Sequence, residues 1–237
     1  MSFIFHNLFY RPLLNILGVI ITIAPGHSLG VAVIVLTLLV SVALLPLSIK
    51  MRRSQHAMQE IHPEIEKIRQ QTKDKNEQAR RTMELYREKK INPFSGFLFI
   101  LLQIPLFFAL FKVLKNLDNL THDAYDILPL FPPFNPVFIG GINLTSPHLV
   151  LALSAGILQL IQGVLTLKNQ PKNKQATSEF ANALQKQMTF TMPFLIVFIS
   201  MQLPSAMALY WTTLSLFAIV HEGFGRLYGR DSSHNNK

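Results

Sequence analysis

The stretch from Lys50 to Lys90 carries twelve Lys/Arg and seven Asp/Glu, and it lies between two uncharged apolar runs. Hydrocarbon cannot hold that density of charge, and an anionic cytoplasmic leaflet attracts its positive excess. The stretch therefore sets a cytoplasmic side for everything that flanks it. Inside it, Met58, Ile61, Ile65 and Ile68 recur at helical spacing, with charged side chains around the other faces. Lys73 to Asn76 has no apolar residue and reads as a turn. A second helix follows on the stripe Ala79, Met83 and Tyr86 and stops before Pro93, since proline disfavours helical geometry in the residue before it. These patterns predict an antiparallel helical hairpin over 50–92. A solvated linker is the competing reading of any charge run, and the paired stripes favour a docking or gating element.

The remainder is oily. Of the 237 residues 49% are hydrophobic and 15% charged, and the mean hydropathy is +0.30, which points to a polytopic membrane protein. A pI near 9.9 suggests nucleic acid in a soluble chain. Here the basic residues cluster in segments that share one side, so positive-inside topology accounts for them and no specific nucleic-acid sequence is implied. With no cysteine, neither a disulfide framework nor a thiolate metal site is available.

Taken in order, residues 1–29 are rich in aromatics (Phe3, Phe5, Phe9, Tyr10) but carry His6, Asn7, Arg11 and Asn15. Their uninterrupted apolar run, Ile16 to Ala24, is too short to span. This segment predicts an interfacial amphipathic helix on the outer face, with its aromatic side in lipid. A signal peptide is the alternative, although Arg11 comes late and no clear cleavage site precedes Pro25. Spans are expected at about 31–47, 94–114, 148–167, 188–203 and 206–220. The segment from Leu117 to Pro147 reads as an irregular outer loop with an interface-hugging centre at Ile127 to Phe138, and Lys168 to Lys186 as a second cytoplasmic loop. The last two spans, joined at Pro204-Ser205, predict an antiparallel membrane hairpin. Residues 223–237 form a basic cytoplasmic tail. Five spans with the N-terminus outside and the C-terminus cytoplasmic put all three basic segments on one side.

No HExxH, Walker loop or GxSxG occurs, and the eight His have no metal-binding spacing. Nothing in the residues calls for a catalytic set, a metal or another cofactor. Polar side chains instead recur inside the apolar runs: Thr37, Ser41 and Ser48 share one face of the first span, and Gln159, Gln162 and Thr166 one face of the third. Intramembrane polar residues point to a hydrophilic cavity. Close helix packing and bonds back to the helix's own backbone are the bland alternatives. A transporter or channel is a further reading, but charged rings and broken half-helices are not evident.

TLLVSVALLPLS from Thr37 to Ser48, HPEIEKIRQ in the basic segment, INPFSGFLFILLQIPLFFALFKVL from Ile91 to Leu114 and MTFTMPFLIVFISMQLPSAMALYW from Met188 to Trp211 together resemble the YidC/Oxa family of membrane-protein insertases. The likeness runs in order from about Gly30 to Glu222, so residues 30–222 would be the insertase core of a short, five-span bacterial-type member. The resemblance implies an all-α integral membrane protein of the plasma or inner membrane. It would move short-looped nascent membrane proteins from the cytoplasm into the bilayer through a hydrophilic groove, as insertase and chaperone, alone or with the Sec translocon. No enzyme chemistry is implied. The ribosome would meet the Lys50–Lys90 hairpin and the tail, and anionic lipids the basic segments. The family's substrate-contact positions fall on Phe107 and Trp211. Most members carry an arginine in the groove face of the first span, where this chain has Ser41. The expected groove is accordingly one of hydroxyls and amides: Thr37, Ser41, Gln103, Gln159, Gln162 and Thr212. A non-inserting membrane assembly scaffold of the same fold is the alternative that Ser41 raises.

Overall fold

The computed structural model describes residues 3–72, 74–91, 95–117, 131–168 and 179–231. In chain order the elements are α1 (Phe3–Ile23), α2 (Leu29–Glu60), α3 (His62–Gln71), α4 (Lys75–Glu88), α5 (Ser95–Lys115), β1 (Val137–Phe138), β2 (Ile142–Asn143), α6 (Leu149–Lys168), α7 (Glu179–Ser200) and α8 (Ser205–Asp231). The expected stop at Asn92-Pro93, residue Lys73 of the turn, residues 118–130 of the outer loop, 169–178 of the second basic loop and 232–237 of the tail lie outside the described residues. Among the described residues, α1, the Leu29–Lys50 part of α2 and α6 are each long and apolar enough to cross a membrane, and Lys186–Ser200 within α7 is a shorter apolar stretch.

The first element is a longer helix than the apolar run Ile16 to Ala24 suggests. The polar residues that shorten the apolar run do not interrupt the helix, because two of them satisfy themselves within it. Asn7 Nδ2 donates to Phe3 O at 3.1 Å and Asn15 Nδ2 to Arg11 O at 2.6 Å. The outcome is a helix with a five-residue π turn at His6–Tyr10, buried along Tyr10, Leu13, Leu14, Leu17 and Ile21. Its opposite side exposes Phe3, Ile4, Leu8, Ile16 and Ile23. The aromatics divide between the two sides: Phe3 is exposed, whereas Tyr10 is buried with Lys112 Nζ 4.3 Å from its ring centroid.

At one end of the molecule a hydrogen-bonded cap joins the starts of three helices. Leu29 N, at the start of α2, donates to Asn135 O, and Leu144 N donates to Pro136 O. Ser205 N and Ala206 N, at the start of α8, donate to Ser146 O and Leu144 O. The same segment feeds directly into α6, so α2, α6 and α8 leave the cap in parallel. Part of the region read as irregular is thus a short antiparallel ladder, Val137 facing Asn143 and Phe138 facing Ile142. Its turn falls on Gly140 and Gly141, whose positive φ values of 75° and 79° suit residues without a Cβ. The Phe138 ring packs directly on Gly30, where any side chain would collide with it. The apolar core beneath the cap is built from Leu14, Leu17, Ala32, Val33, Val113 and Met207.

Helix α7 packs on α6, and its close approach depends on Gly156, against Val197 and the Pro193 carbonyl, and Gly163, whose Cβ would lie 2.8 Å from Thr189 Cγ2. Helix α8 takes another face of α6 and also packs on α2. The tight link at Met201–Pro204 therefore joins two helices that each use α6 as their main neighbour, which departs from a self-contained hairpin. Both helices outrun their expected spans, α7 beginning at Glu179 and α8 continuing to Asp231, because Ala, Leu, Gln, Lys and Arg sustain helix beyond the apolar segment.

The charged stretch holds the end of α2 and the pair α3 and α4. Helix α2 runs unbroken through Pro46 to Glu60. The break comes at Ile61, because Pro63 has no N–H to donate and suits the first turn of a new helix. Ile61, Ile65 and Leu85 bury one another, flanked by Ile68, Tyr86 and Ile91, and Lys89 Nζ meets Glu64 Oε1 at 2.9 Å. Helix α4 is rotated from the stripe that its apolar residues suggest: Ala79 and Met83 are exposed, and Leu85 takes the buried position. Asp74 caps this helix, accepting from Asn76 N at 2.9 Å.

Candidate functional site

The polar residues expected to line a groove separate into two kinds. On α2, Thr37 and Ser41 are buried and use their hydroxyls within their own helix. Thr37 Oγ1 donates to Val33 O at 2.6 Å, Ser41 Oγ to Thr37 O at 2.7 Å and Ser48 Oγ to Leu44 O at 3.0 Å. Bonds to the carbonyl four residues back satisfy each donor without a partner helix. Each oxygen keeps lone pairs able to accept from another group. Thr37 lines a small, mostly apolar hollow with Leu13, Leu36, Val40, Leu106, Leu110 and Tyr210, at the junction of α1, α2, α5 and α8.

The second kind bonds between helices. Ser154 and Thr212 hydroxyls lie 3.1 Å apart, Ser215 Oγ donates to Gln159 Oε1 at 3.1 Å and Thr166 Oγ1 donates to Glu222 Oε2 at 3.2 Å. The three rungs ascend α6 and α8 in the same direction, as two helices leaving one cap in parallel require. Gln159 and Thr212, both expected in the groove, are thus members of one seam. Gln162 is half-buried about one turn from Gln159. The helix at Gln103 is described, but its side chain is outside the described residues.

Phe107 and Trp211, expected as separate substrate contacts, lie together. Their rings stack across α5 and α8 with centroids 5.4 Å apart and planes 21° apart, and Phe108 meets Phe107 edge-on at 5.5 Å. Trp211, Ser215 and Glu222 are spaced four and seven residues apart, so the aromatic pair and the seam share one stripe of α8. Ser154, Ser215 and Glu222 are not among the groove residues drawn from the sequence. For Ser215 and Glu222 the signal is that stripe, which with Trp211 repeats the i, i+4, i+11 spacing of Thr37, Ser41 and Ser48. Glu222 sits where the apolar run has ended and reads as the beginning of the tail, yet it is buried.

A hydroxyl stripe, an amide and carboxylate seam and an aromatic pair around parallel helices can hold polar and apolar chain segments at the same depth.

Similarity to known proteins fits this arrangement. A family model described as 60Kd inner membrane protein matches residues 21–227. The chain is 34% identical over 198 residues to the membrane protein insertase YidC of Fusobacterium nucleatum subsp. nucleatum, covering 83% of this chain and 85% of that one. It is 36% identical over 195 residues to the membrane protein insertase YidC of Clostridium tetani, covering 81% and 79%. Among solved structures it resembles an active YidC insertase crystal structure with the first transmembrane domain resolved, at a TM-score of 0.54 and 26% identity. That likeness covers 81% of this chain and 41% of the other, so the chain spans less than half the length of the solved protein.

Proposed function

Because the chain belongs to the 60Kd inner membrane protein family, the YidC/Oxa1 family, we propose that it inserts short-looped nascent membrane proteins from the cytoplasm into the bilayer and chaperones them there. Relatives named as membrane protein insertases support insertase function and a position in the inner membrane. The observation that carries the reading to this chain's own residues is the stacked Phe107–Trp211 pair on the stripe that also bears Ser215 and Glu222. A substrate's apolar helix would slide along the aromatic pair into lipid while its polar flank exchanges hydrogen bonds with Thr37, Ser41, Gln103, Gln159, Gln162 and Thr212. Burying some twenty apolar residues is strongly favourable by area alone. The protein therefore needs to lower the barrier for the flank, and no covalent step is involved.

In this reading the basic hairpin and tail face the cytoplasm, where they meet the ribosome and anionic lipid. The N-terminus lies outside with α1 at the interface, and the Sec translocon is an optional partner. Photo-crosslinkers at Phe107 and Trp211, with a stalled nascent membrane protein as bait, test the route. Adducts to the bait's apolar segment are expected. Adducts to lipid alone, in a chain that also fails to replace a depleted housekeeping insertase, would overturn it in favour of the non-inserting scaffold. One observation favours that scaffold: Ser41, in place of the usual groove arginine, bonds to its own helix.

A further inference from the structure

The cap divides its apolar side chains between two directions. Phe131 and Leu144 are buried in the core, and the Phe138 ring lies on Gly30. Side chains alternate along a strand, so Val137 points away from that core. It is 49% exposed, and Ile139 at the turn is 78% exposed; among the described large apolar side chains only Phe3 exceeds it. Gly140 and Gly141 complete the tip, where even an added Cβ would meet nothing within 4 Å. The tip thus projects from the bundle as carbon surface. Residues 131–147 include no Lys, Arg, Asp or Glu, so the cap has no charge to hold the tip in water or to pair with a protein partner. The helix that follows shows what lies outside. Helix α6 starts directly after the cap, and its exposed residues Val150, Leu153, Ile157 and Ile161 form one apolar stripe that begins in the first turn. Hydrocarbon facing that stripe therefore reaches the level of the cap itself.

We propose that the Val137–Gly141 tip is an interfacial anchor: it seats in the leaflet nearest the cap, the outer one, with Val137 and Ile139 among the upper acyl chains. The depth follows from the backbone. A lipid-exposed turn cannot enter the hydrocarbon centre, because its outward peptide groups need water or headgroups, whereas branched apolar side chains gain by leaving water. The boundary between headgroups and acyl chains satisfies both. The cap then transmits this position to the bundle, since Asn135 O and Leu144 O hold the starts of α2 and α8, and α6 follows at Leu149. One anchor thereby sets the depth of three helices and of Thr37, Gln159 and Thr212 on them. The inference rests on the proposed topology only for the side on which the cap lies. It moves the lipid contact of the expected interface-hugging centre from the inward-packed Phe131 and Phe138 to Val137 and Ile139.

The chain has no cysteine, so single cysteines can be introduced and labelled with an environment-sensitive fluorophore. The full chain is placed in phosphatidylcholine nanodiscs, one copy per disc, which keeps a second copy off the tip and leaves both membrane faces open to solution. Ile139→Cys is compared with Ile157→Cys in the middle of α6 and Lys75→Cys at the start of α4. The label at position 139 is expected to be quenched most by nitroxide near the headgroup end of the acyl chains, that at 157 by nitroxide near the chain end, and that at 75 by aqueous iodide. Iodide quenching at 139 as strong as at 75 would overturn the proposal. Because the label is itself apolar, a second measurement reads the native side chains. With the label on Leu149→Cys, Val137→Asp together with Ile139→Asp should raise iodide quenching at 149 and lower acyl quenching there, as the cap lifts toward water. Unchanged quenching at 149 would overturn the depth-setting role. If the double variant does not accumulate, Ile139→Ser takes its place in the same comparison. None of these readings needs a substrate, so the two proposals fail separately. A chain that inserts substrates with position 139 open to iodide defeats this inference alone, and one that inserts none with 139 seated in lipid defeats the insertase reading alone.

Discussion

The helical bundle and the charged α3–α4 pair both rely on polar contacts, but they give those contacts different weight. In the bundle, Gln159–Ser215 is an interhelical bond to a buried hydroxyl, so losing the amide leaves Ser215 buried with its hydrogen-bonding need unmet, while Thr166 and Glu222 add a second interhelical bond farther along. In the α3–α4 pair the ion pairs, both within α4 and between the two helices, have solvent-exposed side chains. Arg80 to Glu84 is 3.1 Å with the two side chains 63% and 53% exposed, and Lys89 to Glu64 is 2.9 Å at 44% and 45%. Water and salt compete for every one of these, and such pairs contribute between nothing and about 1 kcal/mol. A few bonds can therefore fix the relation of α6 to α8. The α3–α4 pair leans on three apolar side chains, Ile61, Ile65 and Leu85.

The sharpest way to break the comparison is at Gly156. A leucine there must displace Val197 or the α7 backbone, whose Pro193 carbonyl is also in contact range. Gly156→Leu is expected to abolish accumulation of the membrane-integrated protein, read by immunoblot of washed membranes. In contrast, replacing residues 58–87 by a short polar linker should leave an integrated, protease-resistant bundle. Near-normal accumulation of Gly156→Leu, or loss of the bundle on removing the charged pair, would reverse the ranking of the two regions.

Within the bundle, the comparison sharpens on one rung. Ser215→Val removes the donor to Gln159 and should cost about 1–2 kcal/mol of resistance to unfolding in detergent. Gln159→Leu in the same chain should recover much of that loss, because the stranded amide is gone. Ser41→Ala should cost no more than about 0.5 kcal/mol, since the Thr37 carbonyl retains its place in the α2 ladder. Equal losses at Ser215 and Ser41 would mean that the seam is no stronger than a self-bonded hydroxyl.

The sequence makes the distinction between these regions legible only in outline. The alternation of apolar runs with a charged stretch is visible in composition, and helices form where those runs predict them. The helix ends are less visible, because α7 and α8 continue into polar segments with good helix formers such as Ala183, Leu184 and Leu227. The break at Ile61 depends on Pro63, which the stripe through Met58 and Ile68 obscures. For the site, periodicity finds Thr37, Ser41, Gln159 and Gln162 because they interrupt apolar helices. It says nothing of whether a hydroxyl turns to its own backbone or to another helix, since both uses have the same spacing. Only the parallel packing of α6 on α8 distinguishes them. Glu222 escapes for the same reason: beside Gly223 and Arg226 it has the local composition of a solvated tail, and its burial comes from a helix more than fifty residues away.

A smaller effect tests the apolar side of the α3–α4 pair. Leu85→Ala removes the largest contribution from α4 to a cluster of three buried residues and should cost about 2 kcal/mol locally, toward the low end for a leucine truncation because the site is shallow. Amide exchange across 62–71 and 75–88 should quicken, with α6 and α8 unchanged. Propagation into α6 or α8 would show that the two regions fold as one unit.

The smallest effect lies in the surface pairs and appears only with acid. The Glu77 carboxyl is held down at about 2, chiefly by hydrogen bonds from Arg80 and Arg81. Its Oε2 is 3.0 Å from Arg80 Nε, and its Oε1 is 2.7 Å from Arg81 Nε. A carboxylate whose folded-state value is depressed binds its proton more readily once the helix unfolds. Its contribution to α4 is therefore complete above the ordinary carboxylate value of about 4.5 and is lost as pH falls from there through about 2. Between pH 7 and 5 this group should not change the helicity of α4, and the decline should begin only below that range. Arg80→Ala together with Arg81→Ala should move the Glu77 carboxyl resonance toward ordinary titration while leaving the stability of α4 at neutral pH essentially unchanged. A large neutral-pH loss in that double variant would place the surface pairs alongside the buried seam in strength and erase the contrast between the two regions.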